Sequence, residues 1–517
     1  MLFCNFRIPY CQKNDSYFTK SIKIKLTPLF YQPLKQESLF FSNFDPKKNR
    51  VKQSILKMKI EKRWIISFIM ISVVCTIGAF WPTVTENNYV LSEFGTLAHI
   101  VPADVAWMLT SSCLVLIMTP GLSFFYGGMV GKKNVISTML QSFICLGVVT
   151  LLWVVVAFSL AFGEPVGFGS GDHFYSFFGN PTTFAFMDYV GVLPHKQLAN
   201  TIPFMLFALF QMKFAIICPA IITGSFAERV RFISYLVFIS LFTIFIYAPL
   251  CHAVWYPTGV LGSYFGVKDF AGGTVVHMSS GFAALAGVIV LGKRKNSQHI
   301  PTNIPFVLLG TGMLWFGWFG FNAGSALAAN GTAAMAFATT TTSSAAAMLT
   351  WIFFDRMNGR KVSALGACIG AVVGLVAITP AAGFVSVPES MFFGFITALV
   401  SNTAVNCKYS KRFDDTLDVF ACHGVGGIMG MILTAIFAHG ENASLLHGGW
   451  NVFGHHMMAL VLVSIFTFFG AYFLFKVTNF IIPLRVSEES EHIGLDLSQH
   501  DESLDPKAQP ITEPHYG

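Results

Sequence analysis

Eleven stretches of this chain are apolar enough, and long enough, to cross a lipid bilayer. A hydrocarbon core about 30 Å thick requires about 20 apolar residues per helix, and runs of that kind recur after residue 100, separated by charged or turn-forming residues. Their approximate spans are 105–127, 135–162, 202–224, 233–255, 274–291, 304–325, 333–354, 363–379, 390–407, 419–438 and 457–478. The sequence therefore predicts an all-α integral membrane protein with eleven transmembrane helices.

Composition agrees with a bilayer as the main solvent. Of the 517 residues, 54% are hydrophobic and only 11% are charged, whereas a soluble domain carries about 25% charged residues. The formal net charge of +7 raises the possibility of nucleic-acid binding. However, the basic residues are spread over short loops between the apolar runs and do not form one patch, so we predict no nucleic-acid partner.

The distribution of these basic residues predicts the orientation of the chain. Loops that follow odd-numbered helices contain thirteen Lys and Arg residues, and loops that follow even-numbered helices contain two, Lys196 and Lys268. By the positive-inside rule, the membrane domain begins outside the cell and the C-terminal tail is cytoplasmic. The thirteen residues are Lys132, Lys133, Arg229, Arg231, Lys293, Arg294, Lys295, Arg356, Arg360, Lys361, Lys408, Lys411 and Arg412.

The two ends of the chain differ from the apolar middle. Residues 58–80 have a basic start and an apolar core, which is the layout of a secretory signal, and 58–100 is predicted to be this segment plus an outer linker. Residues 1–57 precede it and are predicted to be a disordered extension or to result from a mis-assigned start, with Met58 as the natural one. The membrane domain is predicted at 101–480 and a cytoplasmic tail at 481–517.

An internal symmetry is also predicted. Transporters are often built from two halves of opposite topology, and five helices per half would give that inversion. The first helix ends in GLSFFYGG (121–128) and the sixth in GWFGFNAGS (317–325). Aspartate and phenylalanine precede a histidine in both the fifth and the tenth helices. We therefore predict a 5+5 inverted repeat with one extra helix.

Two histidines are the leading candidates for a functional pair. An ionisable group at membrane depth costs about 2.5–3.5 kcal/mol on insertion scales, so each such group requires a reason. His277 and His423 occupy matching places in the two predicted halves, which would place them at the same depth. Single intramembrane histidines more often serve packing, but a facing pair of neutral imidazoles can line a path for a small polar molecule.

Other candidates are weaker when taken singly. Asp269 precedes two glycines at the start of the fifth helix, where a carboxylate caps backbone N–H groups; we favour this structural role, with an indirect electrostatic effect on a cation. Trp255, Phe214, Phe321 and Ser325 would suit cation binding through aromatic faces and a hydroxyl. With 54 phenylalanines in the chain, packing alone would explain most of these residues.

No catalytic residue, cofactor or metal site is predicted. The ten cysteines lack the spacing of a disulfide framework and lie mostly in apolar spans. Cys422 adjoins His423, but a metal site needs about three or four converging ligands. An intramembrane metalloenzyme built on Cys422 and the histidines therefore stays a minor alternative.

Several ordered motifs resemble the ammonium transporter, methylammonium permease and Rhesus family, in its bacterial ammonium transporter form. The similarity covers roughly residues 100–502. The motifs are PGLSFFYGGMVGKKNV (120–135), GSFAERVRF (224–232), DFAGGTVVH (269–277), WFGFNAGSA (318–326), LGACIGAVVGLVAITPAAGFV (365–385), DVFACHGVGGIMG (418–430) and LRVSEESEHIGLDLSQH (484–500).

The resemblance implies a homotrimer in the cell (inner) membrane, with one narrow pore in each subunit. It assigns Trp255, Phe214 and Ser325 to an outer ammonium-recruiting site, and Phe214 and Phe321 to a stacked gate. His277 and His423 match paired pore histidines, and Asp269 matches a carboxylate that shapes the outer site. The tail is similar to the segment through which such transporters meet a PII-type signal protein.

One position departs from the family pattern. Lys213, immediately before Phe214, is charged where the family pattern has an uncharged residue. Neighbouring helical positions point about 100° apart, so we expect the lysine to face away from the pore.

The expected activity is transport of ammonium or ammonia. Ammonium would bind outside, lose its proton, cross as ammonia along the histidines and be reprotonated inside, while potassium would be stopped by the cost of taking a charge into low dielectric. Two alternatives remain, an ammonium sensor that signals through the tail and a neutral-gas channel for ammonia or carbon dioxide.

Overall fold

The structure is a computed structural model that describes residues 64–82, 99–295, 300–407 and 412–505. Helices occur at all eleven predicted positions. They are α2 (Pro102–Met129), α3 (Lys132–Phe162), α4 (Phe204–Phe226), α5 (Phe232–Trp255), α6 (Gly273–Leu291), α7 (Ile304–Ala326), α8 (Gly331–Met357), α9 (Ala364–Ile378), α10 (Val387–Asn406), α11 (Phe420–Phe437) and α12 (Trp450–Ile481). The largest difference from prediction is at the start of α12, predicted at 457 and observed at Trp450.

Within the described residues, eight of these helices are both long and apolar enough to cross a membrane. The other three are α8, α9 and α10. Helix α9 is shorter, with 15 residues, and α8 contains the polar run TTTTSS at 339–344. Four of those six side chains, Thr339, Thr340, Ser343 and Ser344, are fully buried and form hydrogen bonds inside the protein. Internal partners therefore compensate for the polarity of α8.

The part of the chain before α2 is described only in part. Trp64–Phe80 forms an apolar helix, α1. The predicted extension at 1–57 and the first residues of the signal-like segment lie outside the described residues. The signal-like role of residues 58–80 therefore stays a prediction.

Helices that hold equivalent places in the two halves pack against each other through glycine. Helix α2 lies along α7, where a Cβ atom on Gly310 would lie 2.3 Å from the backbone nitrogen of Phe125. Helix α6 meets α11, where a Cβ atom on Gly281 would lie 2.2 Å from the backbone nitrogen of Gly424. Since lipid gives no hydrophobic drive between helices, such close approach supplies the packing that holds the two halves together.

Helices α6 and α11 share a further irregularity. Each begins with a π-helical turn, Gly273–Met278 in α6 and Phe420–Gly424 in α11. These turns contain His277 and His423, respectively. Wider turns of this kind are rare and are often found at functional sites.

A small sheet covers one end of the bundle. Strand β1 (Pro165–Phe168) pairs antiparallel with β2 (Tyr175–Gly179) in the loop between α3 and α4. Ser176 of β2 donates its backbone N–H to the Thr258 carbonyl, and its hydroxyl lies 2.8 Å from Nε2 of His252 on α5. The sheet therefore fixes the end of α5, which contains Trp255.

The opposite end of the bundle, which we call the basic end, contains a buried ionic cluster of Arg294, Glu228, Asp414 and Arg229. Arg294 forms salt bridges with Glu228 at 2.8 Å and with Asp414 at 2.7 Å, and its side chain is 7% exposed. Arg229 is fully buried and donates to the hydroxyl of Thr416 and to the carbonyl of Asp414. Because each guanidinium has acceptors in place, these charges can be buried.

The C-terminal tail docks on the same end. Two short helices, α13 (Glu488–Ile493) and α14 (Leu495–His500), follow α12. Asp496 accepts a hydrogen bond from the backbone of Ser137, and the side chain of Asn134 accepts one from the backbone of Leu495. Gly494 between the two helices has a φ of 106°, and a Cβ atom there would lie 2.5 Å from Cβ of Lys133. Glycine is therefore required for this close contact.

Candidate functional site

Two cavities lie on either side of a pair of phenylalanine rings. The first, which we call the vestibule, has a volume of about 190 Å³ and is lined by Phe214, Trp255 and Ser325 among other residues. The second, the histidine cavity, is lined by Phe321, His277 and His423 together with other aromatic and aliphatic side chains. The ring centroids of Phe214 and Phe321 are 4.3 Å apart, so these two rings separate the cavities.

The vestibule brings together the three residues predicted to recruit a cation. The rings of Trp255 and Phe214 are nearly perpendicular, at 84°, with centroids 6.0 Å apart. The Ser325 hydroxyl donates to the Phe321 carbonyl at 2.8 Å, which leaves its oxygen lone pairs to accept from a ligand. Gln197 and Gln211 add amide groups to the lining. Aromatic faces and neutral oxygens attract a cation without the strong binding of a bare carboxylate.

Asp269 lies behind this vestibule and makes only internal hydrogen bonds among those observed. Its carboxylate accepts from the backbone N–H groups of Gly272, Gly273 and Thr274 at 2.7–2.8 Å, and from the Thr274 hydroxyl. It thereby caps the start of α6, where the helix dipole favours a negative charge. Its backbone carbonyl accepts the Trp255 indole N–H at 2.9 Å. Asp269 therefore links the start of the histidine-bearing helix to the aromatic wall.

The two histidines meet inside the second cavity. Their Nδ1 atoms are 3.3 Å apart, and both side chains are buried. The His277 ring lies nearly parallel to the rings of Trp318 and Phe321, at angles of 20° and 21°. Because the π-helical turns of α6 and α11 supply one histidine each, the pair forms where the two halves of the fold meet.

The rest of the histidine cavity is apolar and narrow. Its lining includes Leu122, Ile217, Leu314 and Val372, and its volume is about 10 Å³, close to the space that a single water molecule needs. An ion would lose its hydration shell here without carboxylates to replace it. A small neutral molecule that can donate or accept a hydrogen bond fits the chemistry of this cavity.

Two other residues raised by the sequence lie apart from both cavities. Lys213 is half-buried on α4, and the residues that line the vestibule and the histidine cavity do not include it. Cys422 is buried among Ala347, Trp351 and Val373. In the described part of the chain, no group of three or more His, Cys, Asp or Glu side chains is arranged to hold a metal ion.

Two residues that contact His277 were missed by sequence reasoning. Trp318 stacks on the imidazole, and Thr379, at the end of α9, places its hydroxyl 3.3 Å from Nε2. Both lie in quoted motifs, yet one is 41 residues and the other 102 residues from His277. The only available signal was a threonine followed by proline at the end of an apolar run, which marks a helix end.

Comparison with known proteins identifies the family of the chain. The sequence pattern that defines the Ammonium Transporter Family matches residues 106–504. The chain is 42% identical over 408 residues to a putative ammonium transporter of Methanothermobacter thermautotrophicus, which covers 77% of this chain and 97% of that protein.

Solved structures of related proteins share the fold. The crystal structure of Candida albicans Mep2 superposes with a TM-score of 0.70 at 32% identity, covering 80% of this chain and 93% of that one. A structure described as a sensor Amt protein gives a TM-score of 0.69 at 28% identity, covering 77% and 98%. The family consists of membrane transporters and not of enzymes. From the matched sequence, the shared fold and the helices that carry the site, this chain is a member of the ammonium transporter family.

Proposed function

We propose that this protein moves ammonium nitrogen across a cell membrane, passing it through the histidine cavity as ammonia. The observation that carries the proposal is the buried histidine pair, with Nδ1 atoms 3.3 Å apart in an otherwise apolar cavity. Paired neutral imidazoles offer a hydrogen bond to ammonia without offering a charge to an ion.

Recruitment takes place in the vestibule. Ammonium lies against the faces of Trp255 and Phe214 and donates a hydrogen bond to Ser325. Each aromatic contact contributes about 0.5–2 kcal/mol, depending on desolvation. The Asp269 carboxylate already accepts hydrogen bonds from four internal donors. It therefore acts at a distance and leaves the cation free to move on.

Passage requires ammonium to give its proton to water on the vestibule side, which leaves neutral ammonia. The Phe214 and Phe321 rings form a gate whose closed spacing, 4.3 Å between centroids, leaves little room, so the rings must move aside. Ammonia then crosses between the rings, passes His277 and His423, and takes a proton from water at the other end.

This scheme explains how ammonium is distinguished from potassium, an ion of nearly the same size. Potassium has no neutral form, so it would enter the apolar cavity as a bare charge, at a cost of several kcal/mol. Ammonium avoids that cost by leaving its proton behind. Selectivity on this account comes from chemistry and not from pore width.

The proposal extends to orientation and partners. The vestibule faces outward and the basic end, with its docked tail, faces the cytoplasm, in accord with the positive-inside rule. The protein assembles as a homotrimer in the cell (inner) membrane, and the basic end receives a PII-type signal protein.

Growth of cells that lack ammonium uptake tests the transport claim. With limiting ammonium at acidic pH, where free ammonia is scarce, cells that express the chain should grow and cells with an empty vector should not. The control is a Phe214→Asp variant, which places a fixed charge at the gate. Cells that express this variant should not grow. Failure of the unaltered chain to restore growth, with the protein present in the membrane, would refute the proposal.

A second candidate function is ammonium sensing through the tail. It is favoured by the likeness to the sensor Amt protein and by the direct hydrogen bonds at the basic end, in which the tail donates to Asn134 and accepts from Ser137. Flux in vesicles that contain only the purified protein separates the two functions. A transporter gives uptake there, whereas a pure sensor gives binding without uptake.

A further inference from the structure

Three hydrogen-bonding groups surround the hydroxyl oxygen of Thr379. The hydroxyl lies 2.8 Å from the carbonyl oxygen of Leu375, one turn back in the same helix. The indole N–H of Trp318 approaches the same oxygen at 3.0 Å. Nε2 of His277 lies 3.3 Å away. The oxygen is therefore the meeting point of a helix carbonyl, an indole and an imidazole, all buried.

The number of hydrogen atoms at this oxygen decides which group donates to which. A threonine hydroxyl has one hydrogen and two lone pairs. A carbonyl oxygen can only accept, so the single hydroxyl hydrogen goes to Leu375, as is common for threonine in helices. The backbone N–H of Thr379 is directed to Val376 instead, which leaves the hydroxyl as the donor from this residue to Leu375. The indole N–H can only donate, and it uses one lone pair.

The second lone pair of Thr379 then faces Nε2 of His277. If Nε2 carried no hydrogen, its lone pair would face the lone pair of the Thr379 oxygen, which is repulsive. If Nε2 carries a hydrogen, it donates a hydrogen bond to that oxygen. We propose that Thr379, itself held by Trp318 and Leu375, is a positioning residue that fixes His277 in the tautomer with hydrogen on Nε2. The assignment of the tautomer does not depend on the proposed function, whereas the expected effect on uptake rests on it.

The tautomer of one histidine sets that of the other. With hydrogen on Nε2, neutral His277 has a bare Nδ1. That atom lies 3.3 Å from Nδ1 of His423, so His423 must supply the hydrogen between them. Nε2 of His423 is then bare, and a molecule in the cavity meets a hydrogen-bond acceptor on this side. The two histidines therefore carry their hydrogens on different ring nitrogens, although they come from equivalent turns of the two halves.

The histidine tautomer can be measured directly, without transport. Nitrogen-15 NMR of the full-length protein in lipid bilayers, near pH 8, distinguishes protonated from bare ring nitrogens. Val276–His277 is the only Val-His pair in the sequence, so carbonyl-¹³C valine combined with ¹⁵N histidine identifies the His277 signal. The expected result is hydrogen on Nε2 of His277. Hydrogen on Nδ1 would overturn the proposal.

Three variants separate positioning from packing. Thr379→Val removes the hydroxyl at nearly constant volume and should allow both tautomers of His277, while Thr379→Ser should keep hydrogen on Nε2. Thr434→Val is the matched control, because the buried Thr434 hydroxyl donates to the Gly430 carbonyl in the same way; it should leave the His277 spectrum unchanged. An unchanged spectrum in Thr379→Val would contradict the proposal.

Transport by Thr379→Val gives a second readout. We expect the maximal rate of uptake into vesicles to fall by about fivefold or more, while the half-saturating concentration, set in the vestibule, stays within about twofold. A half-saturating concentration that rises as the rate stays constant would contradict the positioning role. Absence of uptake by the unaltered protein would refute the proposed function, and the NMR result would still decide the tautomer.

Discussion

The ionic cluster at the basic end and the histidine cavity differ in the charge of their buried polar groups. In the cluster, Arg294 is fixed between two carboxylates at 2.7 and 2.8 Å, so full charges neutralise each other in place. In the cavity, two imidazoles face each other among aliphatic and aromatic side chains, and the described residues that line it include no carboxylate. Full charges therefore hold the loops together at the basic end, whereas neutral imidazoles line the cavity through which we propose that ammonia passes.

The largest expected effect concerns the cavity. His277→Ala and His423→Ala should each reduce ammonium uptake into vesicles, or its selectivity over potassium, by at least about tenfold, which corresponds to about 1.4 kcal/mol in the barrier. Each variant removes an imidazole that, in the proposed function, replaces the hydrogen bonds ammonia makes to water outside the cavity. His439→Ala is the control, since His439 is an exposed histidine paired with Glu389. Equal flux and equal selectivity in all three variants would remove the pair from the mechanism.

The next effect concerns the cluster. Arg294→Met leaves Glu228 and Asp414 without their common partner, and removing one member of a buried ion pair costs about 3–5 kcal/mol. We therefore expect a clear fall in the melting temperature of the purified protein. Lys132→Met breaks an exposed pair with Asp505, in which the lysine side chain is 64% exposed, and should cost less than about 1 kcal/mol. Similar melting temperatures for the two variants would show that the cluster does not hold the loops.

A smaller effect tests the helix crossing that brings the histidines together. Gly281→Ala adds a Cβ atom 2.2 Å from the backbone nitrogen of Gly424, so α6 and α11 must separate. Overpacking of this kind costs about 1–3 kcal/mol, and uptake should fall with stability. Gly312→Ala, where a Cβ atom meets nothing within 4 Å, should leave both unchanged. Normal uptake by Gly281→Ala would mean that the crossing tolerates a wider spacing.

The smallest effect concerns pH at the basic end. Burial, with Asp415 nearby, raises the pKa of Asp418 to about 8, above an unfolded value of about 3.9. The folded protein thus holds this proton more tightly. The resulting stabilisation is complete below about pH 4 and is lost as the pH rises through about 8.

Melting temperatures measured from pH 5 to pH 9 should therefore decline, and Asp418→Asn should flatten the decline. Asparagine suits the site because Asp418 has a φ of 55°, which asparagine tolerates well. Glu488→Gln, at an exposed side chain, is the control. A decline of the same slope in Asp418→Asn would assign the pH dependence to other groups.

Much of the fold was predictable because apolar runs of membrane length have few alternatives. The helix positions and the fold class were predicted correctly. The meeting of His277 with His423 was predicted from matching places in two halves, and the structure brings them to 3.3 Å. Their role in transport, like that of Trp255 and Ser325, stays a prediction.

Other features were not predictable, since they depend on contacts between residues distant in sequence. The π-helical turn at Gly273–Met278 has no composition of its own. Thr379 meets His277 only after α9 packs beside α6, and Asp496 meets Ser137 only after the tail folds back across 359 residues. The pairing of β1 with β2 was missed because both strands are short and lie in a loop.

The most direct test of the account is a comparison of cations in vesicles that contain only the purified protein. Ammonium and potassium would be applied in turn at equal concentration, and the rate of entry of each measured, with protein-free vesicles as the background. The account predicts entry of the nitrogen species above background and no entry of potassium above it. Potassium entry at a rate equal to that of ammonium would contradict passage through an apolar, histidine-lined cavity.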